Sequence, residues 1–272
     1  MTSTLNILML FVGLCLFLSG CKNTPQQQPG NTTGLSGAGA KNAVTYAVVV
    51  GMETSRAFGS CPGAGVDSER MRTLLSQYAT NVVYLRDANA TRAAVVSALT
   101  VAVRNTGEGG LVLFYYSGHG GSQPFADTGK EEVDGSDEFL CLYDTYLRDN
   151  EIWKVISQSR GRIFMLVDAC HSQTMYRQPG FKVKVPLAWD HTLTDNAGFS
   201  MLCWSGCPDD TYSYGASTGG QFTNALIRHF KKSGQTYEEL WKLIKADSTL
   251  RKYENPQSTA LGGGFAGKQM FR

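Results

Sequence analysis

Two short stretches of the chain carry groups that could do nucleophilic chemistry. In DACHSQT, residues 168 to 174, a thiol at Cys170 stands beside an imidazole at His171; in SGHGG, residues 117 to 121, a second imidazole, His119, stands among small residues. A thiol with an ordinary pKa of about 8.5 attacks only as thiolate, so it needs a base or a cationic neighbour. A histidine, ordinarily near about 6.5, can take that proton and later return it to a leaving amine. The plainer reading is also open. A cysteine at the end of an apolar run is commonly a small buried hydrophobe, and a glycine-rich turn can hold an incidental histidine.

The elements that carry these residues help to separate the two readings. Apolar runs fall at YAVVVGM (46 to 52), VVYLRD (82 to 87), LVLFYYSGHG (111 to 120), RIFMLVDAC (162 to 170) and FSMLCWSGC (199 to 207). Most are continuous rather than alternating, which predicts strands covered on both faces, as in a parallel sheet. Helical patterns lie between them over 67 to 78, 91 to 104, 151 to 157 and 221 to 232, and a further amphipathic segment begins at Tyr237. Thr91 suits the N-cap of the second helix, with Asn105 and Gly107 as its stop. Strand then helix, repeated, predicts a doubly wound α/β domain. Ligands in such sheets sit outside the carboxyl ends of the strands, where both SGHGG and DACHS fall. His171 directly follows Cys170, so in an extended segment it would point away from the thiol. That leaves His119 as the better base.

His119 precedes Cys170 by 51 residues, and caspase-type peptidases place their histidine about 50 residues before the cysteine. The chain resembles the caspase-like cysteine peptidases, and more closely the metacaspases and their bacterial relatives. The likeness runs in one order through YYSGHGG, DGSDEFLCLYD (134 to 144), DACHSQT, WSGCPDDTYSY and GGQFTNAL (219 to 226), over roughly residues 44 to 260. It implies a three-layer caspase-haemoglobinase-like α/β fold, with a mostly parallel central sheet and helices on both faces. It implies a Cys170 nucleophile, a His119 base, and an oxyanion resting on the backbone amides of Gly120 and Cys170. Loss of one such donor typically costs about 3 kcal/mol.

The same resemblance bears on substrate choice. Metacaspases carry Asp where caspases have Gln, two residues before the nucleophile, and they accept Arg or Lys; here that residue is Asp168. A carboxylate favours a cationic partner, ideally a bidentate Arg. Asp67 and Ser117 align with other pocket residues of metacaspases. The pattern breaks where metacaspases read DDQTSAD, since this chain has DDTYSYG and ends that run on Gly215. The acidic run from Glu131 to Glu138 lies where some metacaspases bind activating Ca²⁺, which makes Asp137 and Glu138 weak candidates for a calcium site. The run lacks EF-hand spacing, and a solvated loop is the simpler reading. No cofactor is required. Arg177, Lys182 and Lys184 follow the nucleophile strand, where family members are often processed, and are expected to form a self-cleavage loop.

The rest of the chain sets the context. With 272 residues, 42% hydrophobic and 18% charged, it is long and apolar enough to bury a full core. A net charge of +2, with no run of Lys and Arg longer than two, gives no nucleic-acid signature. Residues 1 to 20 read as a signal peptide, since the apolar run from Leu5 to Leu18 is shorter than a bilayer span and ends in small residues. Leu18, Ser19, Gly20 and Cys21 resemble a bacterial lipobox with Cys21 as the lipidated residue, although no Lys or Arg precedes the apolar run. A secreted form without lipid and a signal-anchor are the alternatives. Residues 21 to 43, rich in Gly, Gln, Asn, Thr and Pro, read as a flexible tether reaching on the order of 25 Å. A single domain then spans 44 to 272, exported and held at the membrane by lipid.

Five cysteines remain in that domain: Cys61, Cys141, Cys170, Cys203 and Cys207. The spacing of Cys203 and Cys207 suits neither a CxxC redox pair nor a zinc site. GGGFAGKQ, from Gly262, nearly spells a phosphate loop, but Gln269 replaces Ser or Thr and too few residues follow for a helix, so no nucleotide partner is expected. The expected partner is a protein or peptide substrate. Two other classes compete with a peptidase: a catalytically silent caspase-like lipoprotein used for binding or assembly, and a thiol redox protein working through Cys203 and Cys207.

Overall fold

The β-branched and aromatic runs form the strands of one central sheet in the computed structural model, which describes residues 45–123, 137–172, 175, 183–184, 191–193, 199–207 and 215–271. In chain order the sheet strands are β1 (Thr45–Gly51), β2 (Asn81–Arg86), β3 (Leu111–Ser117), β4 (Arg162–Asp168), β5 (Val183–Lys184), β6 (His191–Leu193), β7 (Met201–Ser205) and β8 (Gln257–Leu261). Their order across the sheet is β5-β6-β8-β7-β4-β3-β1-β2. The strands from β7 through β4, β3 and β1 to β2 run parallel, whereas β8 is antiparallel to β7. The helices are α1 (Ala64–Leu75), α2 (Arg92–Asn105), α3 (Asp149–Ile156), α4 (Gln221–His229) and α5 (Tyr237–Ala246).

Side chains alternate across a strand, and here both faces are buried. Val48, Val50, Phe114, Tyr116, Met165 and Val167 pack with Leu99 and Val103 of α2 and Ile152 and Ile156 of α3. Ala47, Val49, Tyr115, Phe164, Leu166 and Trp204 pack on the other side with Met71 of α1, Phe222 of α4, and Leu240 and Trp241 of α5. Trp204 meets Phe164 edge-on at 5.0 Å and stacks on Trp241 at 5.1 Å. Each such buried side chain stabilises the fold by roughly 1.5–3 kcal/mol. The expected helix-covered α/β sheet is therefore present. From β1 the chain adds β2 on one side and β3 on the other, so a crevice opens beyond the carboxyl ends of β1 and β3.

Local signals explain most element boundaries. Thr91 caps α2, its Oγ1 accepting from the Ala94 N–H at 3.2 Å. Thr236 and Glu239 form a reciprocal capping box that starts α5. Three features differ from the sequence reading. α1 begins at Ala64 rather than Asp67, because Gly63 adopts φ 97° and turns the chain into the helix early. β3 ends at Ser117; Gly118 and His119 form a bend, and Gly120–Gln123 starts a small antiparallel sheet with Asp137–Cys141 and Tyr146–Arg148. β8 carries no uninterrupted apolar run, since polar Gln257, Ser258 and Thr259 are buried in it. No helix among the described residues is long and apolar enough to cross a membrane.

Candidate active site

His119 is fixed at both its backbone and its ring. Its carbonyl accepts from the Tyr116 hydroxyl at 2.7 Å and from the Cys141 N–H at 3.0 Å. Its ring Nε2 lies 2.9 Å from the carbonyl oxygen of Ser60. A carbonyl can only accept, so Nε2 carries a proton and the basic nitrogen of the neutral ring is Nδ1. Gly118 is required beside it, because a Cβ there would come within 2.5 Å of the Tyr116 hydroxyl.

Cys170 is half-buried in the turn after β4. The turn is tied down on two sides: Gly118 N–H donates to Asp168 O at 3.3 Å, and the Cys207 thiol donates to Ala169 O at 3.3 Å. A Cβ on Gly120 would lie 2.3 Å from Cys170 O, so the His119 loop can approach the Cys170 turn only with glycine there. His171 adopts φ 50°, a left-handed conformation, so the extended chain expected to turn it away has already ended at Asp168. It is not among the residues lining the cleft described next.

Cys170, His119, Gly120, Asp168, Asp67 and Ser117 line one cleft of about 440 Å³, together with Cys61, Gly118 and Gly220. The sequence-predicted nucleophile, base and pocket residues thus converge from β3, β4 and α1. Asp67 Oδ2 accepts from Gly220 N–H at 2.7 Å and from Ser117 Oγ at 3.0 Å. Its Oδ1 is buried with no hydrogen-bond partner among the described residues. Burial, and next the charge of Asp168, push the Asp67 carboxyl up to about 7, against the pull of the Gly220 and Ser117 donors. Asp168 Oδ2 accepts from the Thr223 N–H at 2.9 Å and from Thr223 Oγ1 at 2.7 Å.

The cleft holds a second thiol that the sequence did not single out. Burial, then the charges of Asp168 and Cys170, push Cys61 up to about 12. It stays protonated at neutral pH and is a poor nucleophile. Ser60 and Thr223 also went unassigned. Ser60 acts through its backbone carbonyl, which leaves no residue-type signal; Thr223 had one, as the third residue of a helix opened by two glycines.

Other sequence expectations land away from the cleft. Asp137 and Glu138 are buried strand residues, not part of a solvated loop. Asp137 is engaged by Arg148 Nη1 and Asn150 Nδ2, each at 3.5 Å. Among the described residues no group of three His, Cys, Asp or Glu side chains could hold a metal ion. Residues 131–136 lie outside the described residues, as do Arg177, Lys182 and the lipidation candidate Cys21. Lys184 is in β5, paired in register with Thr192. Gly215, where the metacaspase pattern has Asp, pairs with Gly220 in a short hairpin beside Asp67. Cys203 and Cys207 are buried thiols, placed badly for exchange with a redox partner. Lys268 of the glycine-rich run is followed by a β-bridge at Gln269 and then a turn, not a helix.

A mostly parallel sheet between helices, with a thiol and an imidazole at neighbouring strand ends, defines a caspase-like α/β protein. The caspase-domain family model matches residues 44–270, and the chain belongs to that family. It is 30% identical to metacaspase-1 of Arabidopsis thaliana over 58% of this chain and 48% of that protein. It is 24% identical to metacaspase-1A of Aspergillus niger over 78% of this chain and 69% of that one. The chain thus spans about half the length of the Arabidopsis relative. The crystal structure of protein GSU0716 from Geobacter sulfurreducens shares the fold, with a TM-score of 0.65, 24% identity, and coverage of 84% of this chain and 98% of that one.

Proposed function

We propose that the protein is a cysteine endopeptidase that cleaves after Arg or Lys, with Cys170 as nucleophile and His119 as general base. The observation that carries this reading is the lining of one cleft: a thiol, a histidine whose Nδ1 is the basic nitrogen, and two buried carboxylates. Nδ1 of His119 takes the Cys170 proton, and the thiolate attacks the substrate carbonyl carbon. The oxyanion rests on the amides of Gly120 and Cys170. The imidazolium then protonates the leaving amine, and water hydrolyses the thioester with His119 again as base. The substrate cation lies against Asp67 and Asp168, where a low dielectric strengthens the pairing.

Fluorogenic peptides with Arg, Lys or Asp before the scissile bond test this directly. Wild type should release fluorophore from the Arg and Lys peptides and not from the Asp peptide. Cys170→Ala should abolish release, and His119→Ala should slow it by about 10²–10⁴. Equal background in all arms would remove the peptidase reading. We also propose that residues 1 to 20 are a signal peptide and that Cys21 anchors the domain by lipid to a bacterial envelope membrane. Incorporation of labelled fatty acid that persists in Cys21→Ala would overturn that anchor.

A further inference from the structure

The two carboxylates of the cleft are held in unlike ways. Two donors to Asp168 Oδ2 come from one residue, Thr223, in the first turn of α4. The backbone N–H occupies one lone pair of that oxygen, and the hydroxyl reaches another. Thr223 Oγ1 is also 2.8 Å from the hydroxyl of Tyr115, a fully buried β3 residue. A threonine hydroxyl has a single proton. If it goes to the Asp168 carboxylate, Tyr115 must donate to Thr223, and the chain Tyr115 to Thr223 to Asp168 is satisfied throughout. The first turn of a helix also favours an anion there. Asp67, by contrast, keeps one oxygen buried with no hydrogen-bond partner among the described residues.

We propose that Thr223, backed by Tyr115, is a positioning residue that keeps Asp168 as the standing carboxylate of the cleft and leaves the exchangeable proton to Asp67. This rests on the reading of the cleft as a site for a cationic side chain. The charged and titratable groups facing Asp168 are consistent with the division of labour. Asp67 on α1, Cys61, Cys170 and His119 share its cleft. Arg70, whose charge acts on Asp67, directs its guanidinium to Thr218 O at 3.0 Å and Asn224 Oδ1 at 2.9 Å. Gly220 permits the arrangement, since a Cβ there would lie 2.3 Å from Asp168 Oδ2.

The test uses the whole chain with Thr223→Val, Thr223→Ser and Tyr115→Phe. Carboxyl titrations of Asp168 and Asp67 are followed by NMR, and KM and kcat are measured on matched peptides with Arg or the neutral isostere citrulline before the scissile bond. Thr223→Val should move the Asp168 titration to higher pH and that of Asp67 to lower pH. It should raise KM for the Arg peptide about tenfold, the scale of one hydrogen bond to a charge, with kcat and the citrulline peptide little changed. Thr223→Ser should behave as wild type, and Tyr115→Phe should move the same quantities by less. An Asp168 titration left in place by Thr223→Val, or moved equally by Thr223→Ser, overturns the proposal. A moved titration with an unchanged Arg-peptide KM upholds the role of Thr223 and instead overturns the cation-binding reading of the cleft.

Discussion

Tyr115 and Tyr116 are neighbours on β3 and therefore face opposite sides of the sheet, yet both send a hydroxyl toward its carboxyl end. Tyr115 reaches Thr223, and Tyr116 reaches the carbonyls of His119 and Cys141, each at 2.7 Å. One hydroxyl proton serves these two carbonyls, so removing it costs the pair one hydrogen bond. Tyr116→Phe should therefore destabilise the fold by about 0.5–1.5 kcal/mol, the net worth of one hydrogen bond, as urea unfolding would measure. It should also lower kcat more than it raises KM. A pH effect follows from Asp67, whose carboxyl is raised from the ordinary range to about 7. Below that value Asp67 is protonated and the cleft loses one negative charge; above it both carboxylates face the ligand. Binding of a peptide ending in Arg to Cys170→Ala, followed by calorimetry, should weaken as pH falls from 8 to 6, and Asp67→Asn should remove that dependence. The stability of the empty protein runs in the other direction. A raised carboxyl pKa gives a contribution that is complete below the ordinary range and is lost as pH climbs through about 7. Cys170 and His119 were singled out by residue type and strand-end position, whereas Asp67, on α1, and Asp168 were singled out as pocket residues through the metacaspase resemblance. The acceptor for His119 Nε2 was not, because any residue could supply the Ser60 carbonyl.

Among the elements, the start of α4 does the most to shape the cleft. Gly219 and Gly220 precede it, and a Cβ on Gly219 would fall 2.2 Å from Asp67 Oδ1, as one on Gly220 would fall 2.3 Å from Asp168 Oδ2. The helix thereby brings backbone against both carboxylates, and the Gly220 N–H binds Asp67 directly. Gly220→Ala should displace the Asp168 carboxylate. The expected result is at least a tenfold loss of kcat/KM on Arg peptides, the scale of a lost hydrogen bond to a charged group, together with a loss of about 1–3 kcal/mol of stability from the crowded contact. A variant as active as wild type would show that the carboxylates do not need this contact. Strands and helices were largely legible because continuous apolar runs and helical spacing reflect the two buried faces. The start of α1 was missed because a left-handed Gly63, not a side-chain cap, opens it. β8 was missed because it buries Gln257, Ser258 and Thr259 beside apolar Ala260 and Leu261, a pattern with no strand signature on its own.

On the scale of the molecule, one sheet separates two chemical tasks. The face with α2 and α3 carries Tyr116, which holds His119, and the face with α1, α4 and α5 carries Tyr115, behind the carboxylate pocket. Both tasks meet at the crevice beyond β1 and β3, a placement already implied by the strand order of a doubly wound sheet. The sheet also bears on the expected self-cleavage after Arg177, Lys182 or Lys184. A peptide bond enters a peptidase cleft with its backbone free to bind, whereas Lys184 is held in β5, paired with β6, which in turn pairs with β8. Cutting after Lys184 must first undo that ladder. The same ladder holds Val183, which follows Lys182, so purified protein should cut itself after Arg177 ahead of Lys182 or Lys184, and Cys170→Ala should stay whole. Mass spectrometry of the fragments over time gives the order of cuts. A first cut after Lys182 or Lys184 would mean that β5 leaves the sheet before processing, and fragments from Cys170→Ala would mean that another peptidase makes the cut.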